Sequence, residues 1–230
     1  MLFFCLHRVC GGGHVDSTQP ARLGWVFSMC VVRLWGLSMK IISIFDRSGV
    51  MVRPWHRAGH EVLTLDIEPA LHDMPSIQAD IRKVPVINAD IVFAFVPCTE
   101  FSRAGARWWA MKDKHKPHLL REARELLAVG WDWCAPARYW MIENPVGRLN
   151  QVWRYPDWKF DPWEFAGYLE DPTPDRRPKR TNIWSNWNKP PMEPRLPLPE
   201  NKGWTTSRAN AWQRSITPAG FAEAVFQHLS

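Results

Sequence analysis

No Cys-x-x-Cys pair occurs in this chain, whose five cysteines stand at positions 5, 10, 30, 98 and 134. An odd, scattered set excludes a disulfide framework and points to a reducing compartment. Cys5, His7, Cys10 and His14 lie close in sequence, but their spacing fits no standard zinc pattern, so no metal is expected. Long apolar runs are missing too. Arg8 cuts short the run that starts at Met1, and Arg33 interrupts 25–37, so neither reaches the roughly 18 uncharged residues of a membrane span. The first of them has no charged start, unlike a signal peptide. There is no G-x-G-x-x-G for a dinucleotide, and no glycine-rich loop ending in Lys-Ser/Thr for a triphosphate.

Tryptophan, proline and positive charge are abundant instead. The 230 residues include 15 Trp and 20 Pro, and carry a net charge of +6 with a pI near 9.2. That length suits one domain with a sizeable core. The charge favours an acidic partner such as nucleic acid, and aromatics interleaved with Arg and Lys suit stacking on bases. Residues 1–38, with Gly11-Gly12-Gly13 and no clean period, read as a dispensable extension before Met39-Lys40. Residues 39–230 read as one α/β domain.

From Met39 onward the pattern is ordered. Ile41–Phe45 reads as a buried strand, Asp46–Gly49 as a turn, Val50–Ala58 as a short helix and Glu61–Leu65 as a second strand ending at Asp66. Strand, turn, helix, strand ending in an acid is half of a doubly wound sheet, and the acid at that point is placed to accept ribose hydroxyls. Asp66 is that candidate, with Glu68 in reserve. Another acid, Asp80, follows a short strand at Ser76–Gln78. Ile91–Val96 is a continuous apolar run typical of a parallel strand buried on both faces. Pro97 ends it, which leaves Cys98 at the carboxyl edge where ligands bind in open α/β sheets. A thiol there is either a nucleophile or a small buried hydrophobe. Arg103, Arg107, Lys112, Lys114 and Lys116 surround Trp108 and Trp109 in a basic loop that suits phosphates and an extruded base. Pro117–Cys134 is an amphipathic scaffold helix whose Cys134 is expected to be inert. Tyr139–Glu143 is a strand that brings Glu143-Asn144 to the same edge as Cys98. Residues 153–175 read as loops, Arg176–Arg180 as a basic run leading into a late strand, and Ser215–Leu229 as a closing helix.

Taken in order, Phe45 with Gly49, Asp66-Ile67, Asp80-Ile81, Pro97-Cys98 with Phe101-Ser102, Glu143-Asn144 and the Arg176–Trp184 run resemble the DNA cytosine-5 methyltransferases. The similarity is to small, phage-type members, and covers about residues 39–229. It implies a Rossmann-like doubly wound sheet of the S-adenosylmethionine-dependent methyltransferase type, with S-adenosylmethionine as cofactor. Phe45 would lie against the adenosine, Gly49 near the methionine part, Asp66 and Ile67 at the ribose, Asp80 and Ile81 at the adenine, and Pro97 beside the cofactor. Cys98 would be the nucleophile, Glu143 the group on cytosine N3, and Arg180 the cation at the target base, with Lys179 as substitute. The implied partner is double-stranded DNA, the state a monomer and the setting a bacterial cytoplasm, in restriction-modification. The chain departs from the family in three places: Arg47 or Ser48 replaces a second turn glycine, Pro145 stands where Val usually follows Glu-Asn, and the Gln of the basic motif is absent. Only a reduced recognition insert fits at about 185–214, so a short or relaxed target is expected. The alternatives are an RNA or nucleotide pyrimidine C5-modifying enzyme, or a silent nucleic-acid-binding relic of the fold. Asp/Asn-Pro-Pro-aromatic, the mark of amino methyltransferases, is absent; the chain has Val96-Pro97-Cys98-Thr99.

Overall fold

The strands of the sheet run in the order β3-β2-β1-β4-β5-β7-β6 in a computed structural model that describes residues 38–195 and 215–230. The N-terminal extension up to residue 37 and most of the expected recognition insert lie outside the described residues, as do Cys5, His7, Cys10 and His14. The strands are β1 (Lys40–Ile44), β2 (Glu61–Asp66), β3 (Ser76–Gln78), β4 (Ile91–Ala94), β5 (Tyr139–Pro145), β6 (Trp158–Phe160) and β7 (Thr181–Ser185). β1 to β5 pair in parallel, and β7 runs antiparallel between β5 and β6.

This is an α/β fold with a mostly parallel seven-stranded sheet, compatible with the Rossmann-like expectation. Helices cover both faces, which is why the central strands are apolar throughout rather than alternating. Period-two alternation divides the side chains of each strand between the faces. Ile41, Phe93, Met141 and Ile183 pack on one side against Trp55 of α1 (Arg53–Arg57) and Phe221 and Val225 of the C-terminal helix Ala219–Leu229. Ile42, Val92, Ile142 and Trp184 pack on the other against Ala123 and Leu127 of the long helix Pro117–Cys134. The basic segment before that helix forms a 3-10 turn over Arg103–Trp108 and then α2 (Trp109–His115); the long helix is α3. A single turn, α4 (Leu149–Val152), follows β5, and the C-terminal helix is α5.

Several boundaries differ from the sequence expectation, each for a local reason. α1 is five residues long because Pro54 sits in its first turn and Gly59, at φ +88°, ends it. β5 continues past Glu143 to Pro145, since β7 pairs alongside with Glu143 opposite Ile183 and Asn144 opposite Asn182. Within 153–175, expected to be loops, the chain forms β6, a three-residue edge strand too short to show a period. α5 begins at Ala219; its Gly220 N–H donates to the buried Asp175 carboxylate at 2.7 Å, satisfying a group that helix starts leave without a partner.

Candidate functional site

Parallel registry gathers the site. Ile44 pairs with Leu65 and with Ala94, and Ala94 pairs with Ile142. The residues that follow, Asp66, Phe45, Phe95 and Glu143, therefore stand at one level towards its carboxyl edge, on strands about 4.8 Å apart, with Asp66 and Glu143 still paired in the sheet. Cys98 stands three residues beyond Phe95. The Asn144 side-chain N–H donates to the Val96 carbonyl at 2.8 Å, tying the strand end that carries the thiol to the one that carries Glu143. The Cys98 carbonyl accepts from the N–H groups of Phe101 (3.0 Å) and Ser102 (2.8 Å), so a tight turn fixes the main chain around a half-buried thiol. Pro97 is exposed beside it.

Glu143 keeps partial solvent access but is closely surrounded. Burial pushes its carboxyl above the usual carboxylate range, and the Lys179 ammonium opposes that shift. Both line a recess with Phe95, Phe160, Thr217 and Phe221. Its volume is about 10 Å³, room for about one water molecule, and Cys98 is not one of its walls. Lys179, not Arg180, is the cation that meets Glu143. The Arg180 guanidinium donates instead to Asp161 (3.0 Å) and Glu164 (3.1 Å).

The turn between β1 and α1 is organised by Asp46, which the sequence marks only as a turn residue. Its buried carboxylate accepts from Ser43 Oγ (2.7 Å), Ser48 Oγ (2.8 Å), Ser48 N (3.0 Å) and Gly49 N (2.9 Å). An Asp two and three residues ahead of the N–H groups it binds is the Asx-turn pattern, and that signal was present in Asp46-Arg47-Ser48-Gly49. Gly49 has φ +64°, and a Cβ there would overlap the His72 ring. Phe45 has φ +57°, a left-handed conformation that costs a bulky residue about 1–3 kcal/mol and is concentrated at ligand sites. Burial raises the Asp66 carboxyl, with Asp46 and Glu68 adding to the effect while the Glu68 N–H at 2.9 Å opposes it. Ile67 beside it is 64% exposed, an apolar surface open to a flat ligand.

Asp80 and Ile81 are placed differently from Asp66 and Ile67. Asp80 is gripped by the Arg82 guanidinium through both oxygens (2.7–3.2 Å), which pulls its pKa down to about 2. Ile81 is buried in the core. Cys134 is buried, and burial drives its thiol far above the usual range, so it remains a neutral core side chain. In the basic loop, Trp108 is 49% exposed with Arg107 stacked on it, while Trp109 lies under Arg148. Sequence reasoning passed over Arg148 and marked Asn144 only as part of the Glu-Asn pair, because their partners Glu100 and Val96 lie 48 residues away and no local spacing betrays the contacts.

Among the described residues no group of three or more His, Cys, Asp or Glu is placed to hold a metal ion, and no helix is long and apolar enough to cross a membrane. What the fold and site define is an α/β protein whose mostly parallel sheet carries a thiol and a raised-pKa carboxyl at one edge, with a glycine turn and two acids beside them. No protein-family model matches the chain, and no curated protein matches it.

Proposed function

We propose that the protein transfers a methyl group from S-adenosylmethionine to C5 of cytosine in DNA. The observation that carries this reading is the delivery of Cys98 and Glu143 to one edge by adjacent parallel strands, tied by the Asn144 to Val96 hydrogen bond. The sheet order is compatible with the fold that the resemblance implies.

The residues of the cofactor half fit a nucleoside with an amino-acid tail. The Asp46-anchored turn holds Phe45 half-buried at the strand end, with Gly49 buried under the His72 ring, and Asp66 offers a carboxylate to ribose hydroxyls with Ile67 open alongside. Asp80 can meet an adenine amino group only with an oxygen it shares with Arg82. S-adenosylmethionine, when bound, supplies an electrophilic methyl group. The chain's own part is to make cytosine a nucleophile. The Cys98 thiolate adds to C6, and Glu143, whose carboxyl burial pushes above the usual range, hydrogen-bonds N3 in its neutral form where charge develops. C5 then takes the methyl group, its proton passes to a water base, and the electron pair of that C–H bond expels Cys98 as thiolate. Lys179 is the cation placed to meet the base beside Glu143. A recess the size of one water admits a pyrimidine only when its walls part, so this reading requires the recess to open as the base enters.

The test is covalent trapping. Fluorine at C5 cannot leave as a proton does, so the full chain with S-adenosylmethionine and 5-fluorocytosine duplex should give an adduct that survives denaturant. Cys98→Ser should give none while binding S-adenosylmethionine as the native chain does. No adduct on DNA would refute the proposal, and an adduct on RNA alone would move it to the RNA reading.

A further inference from the structure

We propose that Arg148 is a positioning residue that sets where the Cys98 thiol stands relative to Glu143. The kinetic side of this rests on the methyl-transfer reading; the structural side does not. Arg148 is buried, five residues after Glu143 at the start of α4. Its main-chain N–H donates to the Phe101 carbonyl at 2.8 Å, and Nε donates to the Glu100 carbonyl at 2.7 Å. Phe101 and Ser102 close the turn on Cys98 through their N–H groups, and Glu100 lies within that turn. The same guanidinium reaches the far end of the loop, where Nη1 donates to Asp113 at 2.7 Å and the plane lies 4.8 Å from the centre of the Trp109 ring. Around it, the Arg103 N–H donates to the Val146 carbonyl at 3.0 Å, and Ser102 bridges Gly147.

The segment after the nucleophile is thus fastened to the segment after Glu143 by main-chain bonds and by one planar fork, whose geometry Lys cannot reproduce because it offers a point charge. One contact in this cluster is incomplete. Arg148 Nη2 and Glu100 Oε2 are both buried, 4.0 Å apart, and neither makes a hydrogen bond, while the other Glu100 oxygen accepts from Lys112 at 2.6 Å. An inward shift of the loop by about 1 Å would bring that pair within ordinary hydrogen-bond length. Arg148 therefore grips the loop in a position one short step from a fully bonded one, at the distance where displacement matters most to a nucleophile.

The experiment reads the thiol directly. The full chain is alkylated with iodoacetamide and modification is followed peptide by peptide, with buried Cys134 as an internal report on folding. In Arg148→Ala, Cys98 should alkylate about tenfold faster while Cys134 stays protected, and kcat for methyl transfer should fall about a hundredfold with KM for S-adenosylmethionine unchanged. Arg148→Lys should recover part of both. If Arg148→Ala exposes Cys134, the variant has unfolded, and Asp113→Ala takes its place; it removes one acceptor of the guanidinium from the exposed side and should speed Cys98 alkylation about threefold. Native Cys98 reactivity with Cys134 protected overturns the proposal. A native chain that transfers no methyl group would defeat the catalytic reading and leave the alkylation result to decide the positioning one.

Discussion

Glu143 is costly to keep where it stands. Its folded pKa is raised, so the folded state holds its proton more tightly than the unfolded chain does, and stability contributed by the neutral form is lost as pH rises from the ordinary carboxylate range through the raised value. Glu143→Gln removes that loss. Its melting temperature should exceed that of the native chain at pH 8 and match it at pH 4, while methyl transfer falls by about 10²–10³-fold as the carboxyl that stabilises charge at N3 is replaced by a weaker amide donor. An equal melting temperature at pH 8 would mean that burial does not penalise the charged form of the carboxyl. Lys179 and Arg180 separate in the same way. Lys179→Ala should cut kcat and, by removing the charge that lowers the Glu143 pKa, move the alkaline limb of the pH–rate profile upward. Arg180→Ala should leave that limb in place, since its guanidinium is engaged by Asp161 and Glu164. A shift of the limb in the Arg180 variant alone would reverse the assignment.

At the level of elements, α5 closes the pocket. Phe221 is fully buried and stacks on Phe160 with ring centres 4.2 Å apart, in the wall facing Glu143. Phe221→Ala should cost about 3–5 kcal/mol of unfolding free energy in denaturant titration. Because the ring lines the recess, cofactor or substrate affinity should fall as well; stability loss with native affinity would show that the wall is scaffold only. The corner between β5 and α4 makes a second case. Gly147 lies so close to Phe101 that a Cβ would overlap its carbonyl oxygen. Gly147→Ala should therefore push the thiol loop away from the corner, with a larger effect on trapping of 5-fluorocytosine DNA than on S-adenosylmethionine binding. These elements were partly legible beforehand. The apolar runs of β1, β2, β4 and the amphipathic α3 announce themselves, because burial on both faces or on one stripe dictates residue type. β6 did not, since three residues at an edge draw their hydrogen bonds from β7 and carry no period of their own.

Across the whole protein, the charge of +6 and the basic loop predict an electrostatic mode of binding. Duplex affinity should fall linearly on a log–log plot against salt, each phosphate contact contributing a slope of about −0.9. A salt-independent affinity would rule out the loop as a phosphate clamp. With about thirty residues between Trp184 and Ser215, target recognition should cover a very short sequence. Methylation of a randomised duplex library that revealed a long, strict site would contradict this.

Residue order along the chain was enough to mark the candidate groups: a thiol after Pro97, a carboxyl at Glu143 and an acid at Asp66, each at the end of an apolar run, and Asp80 after a short strand. Strand ends are legible because burial imposes a composition that stops abruptly. What the folded arrangement added is which of these groups share a pocket. Lys179 and Arg180 are neighbours in one basic run just ahead of β7, but one lines the recess with Glu143 while the other bonds to Asp161 and Glu164. Asp80 and Asp66 look alike in sequence, yet Arg82 occupies one and leaves the other open. Arg148 gains its place only through partners brought from far along the chain, a contact that registry of packed strands creates and local spacing does not record.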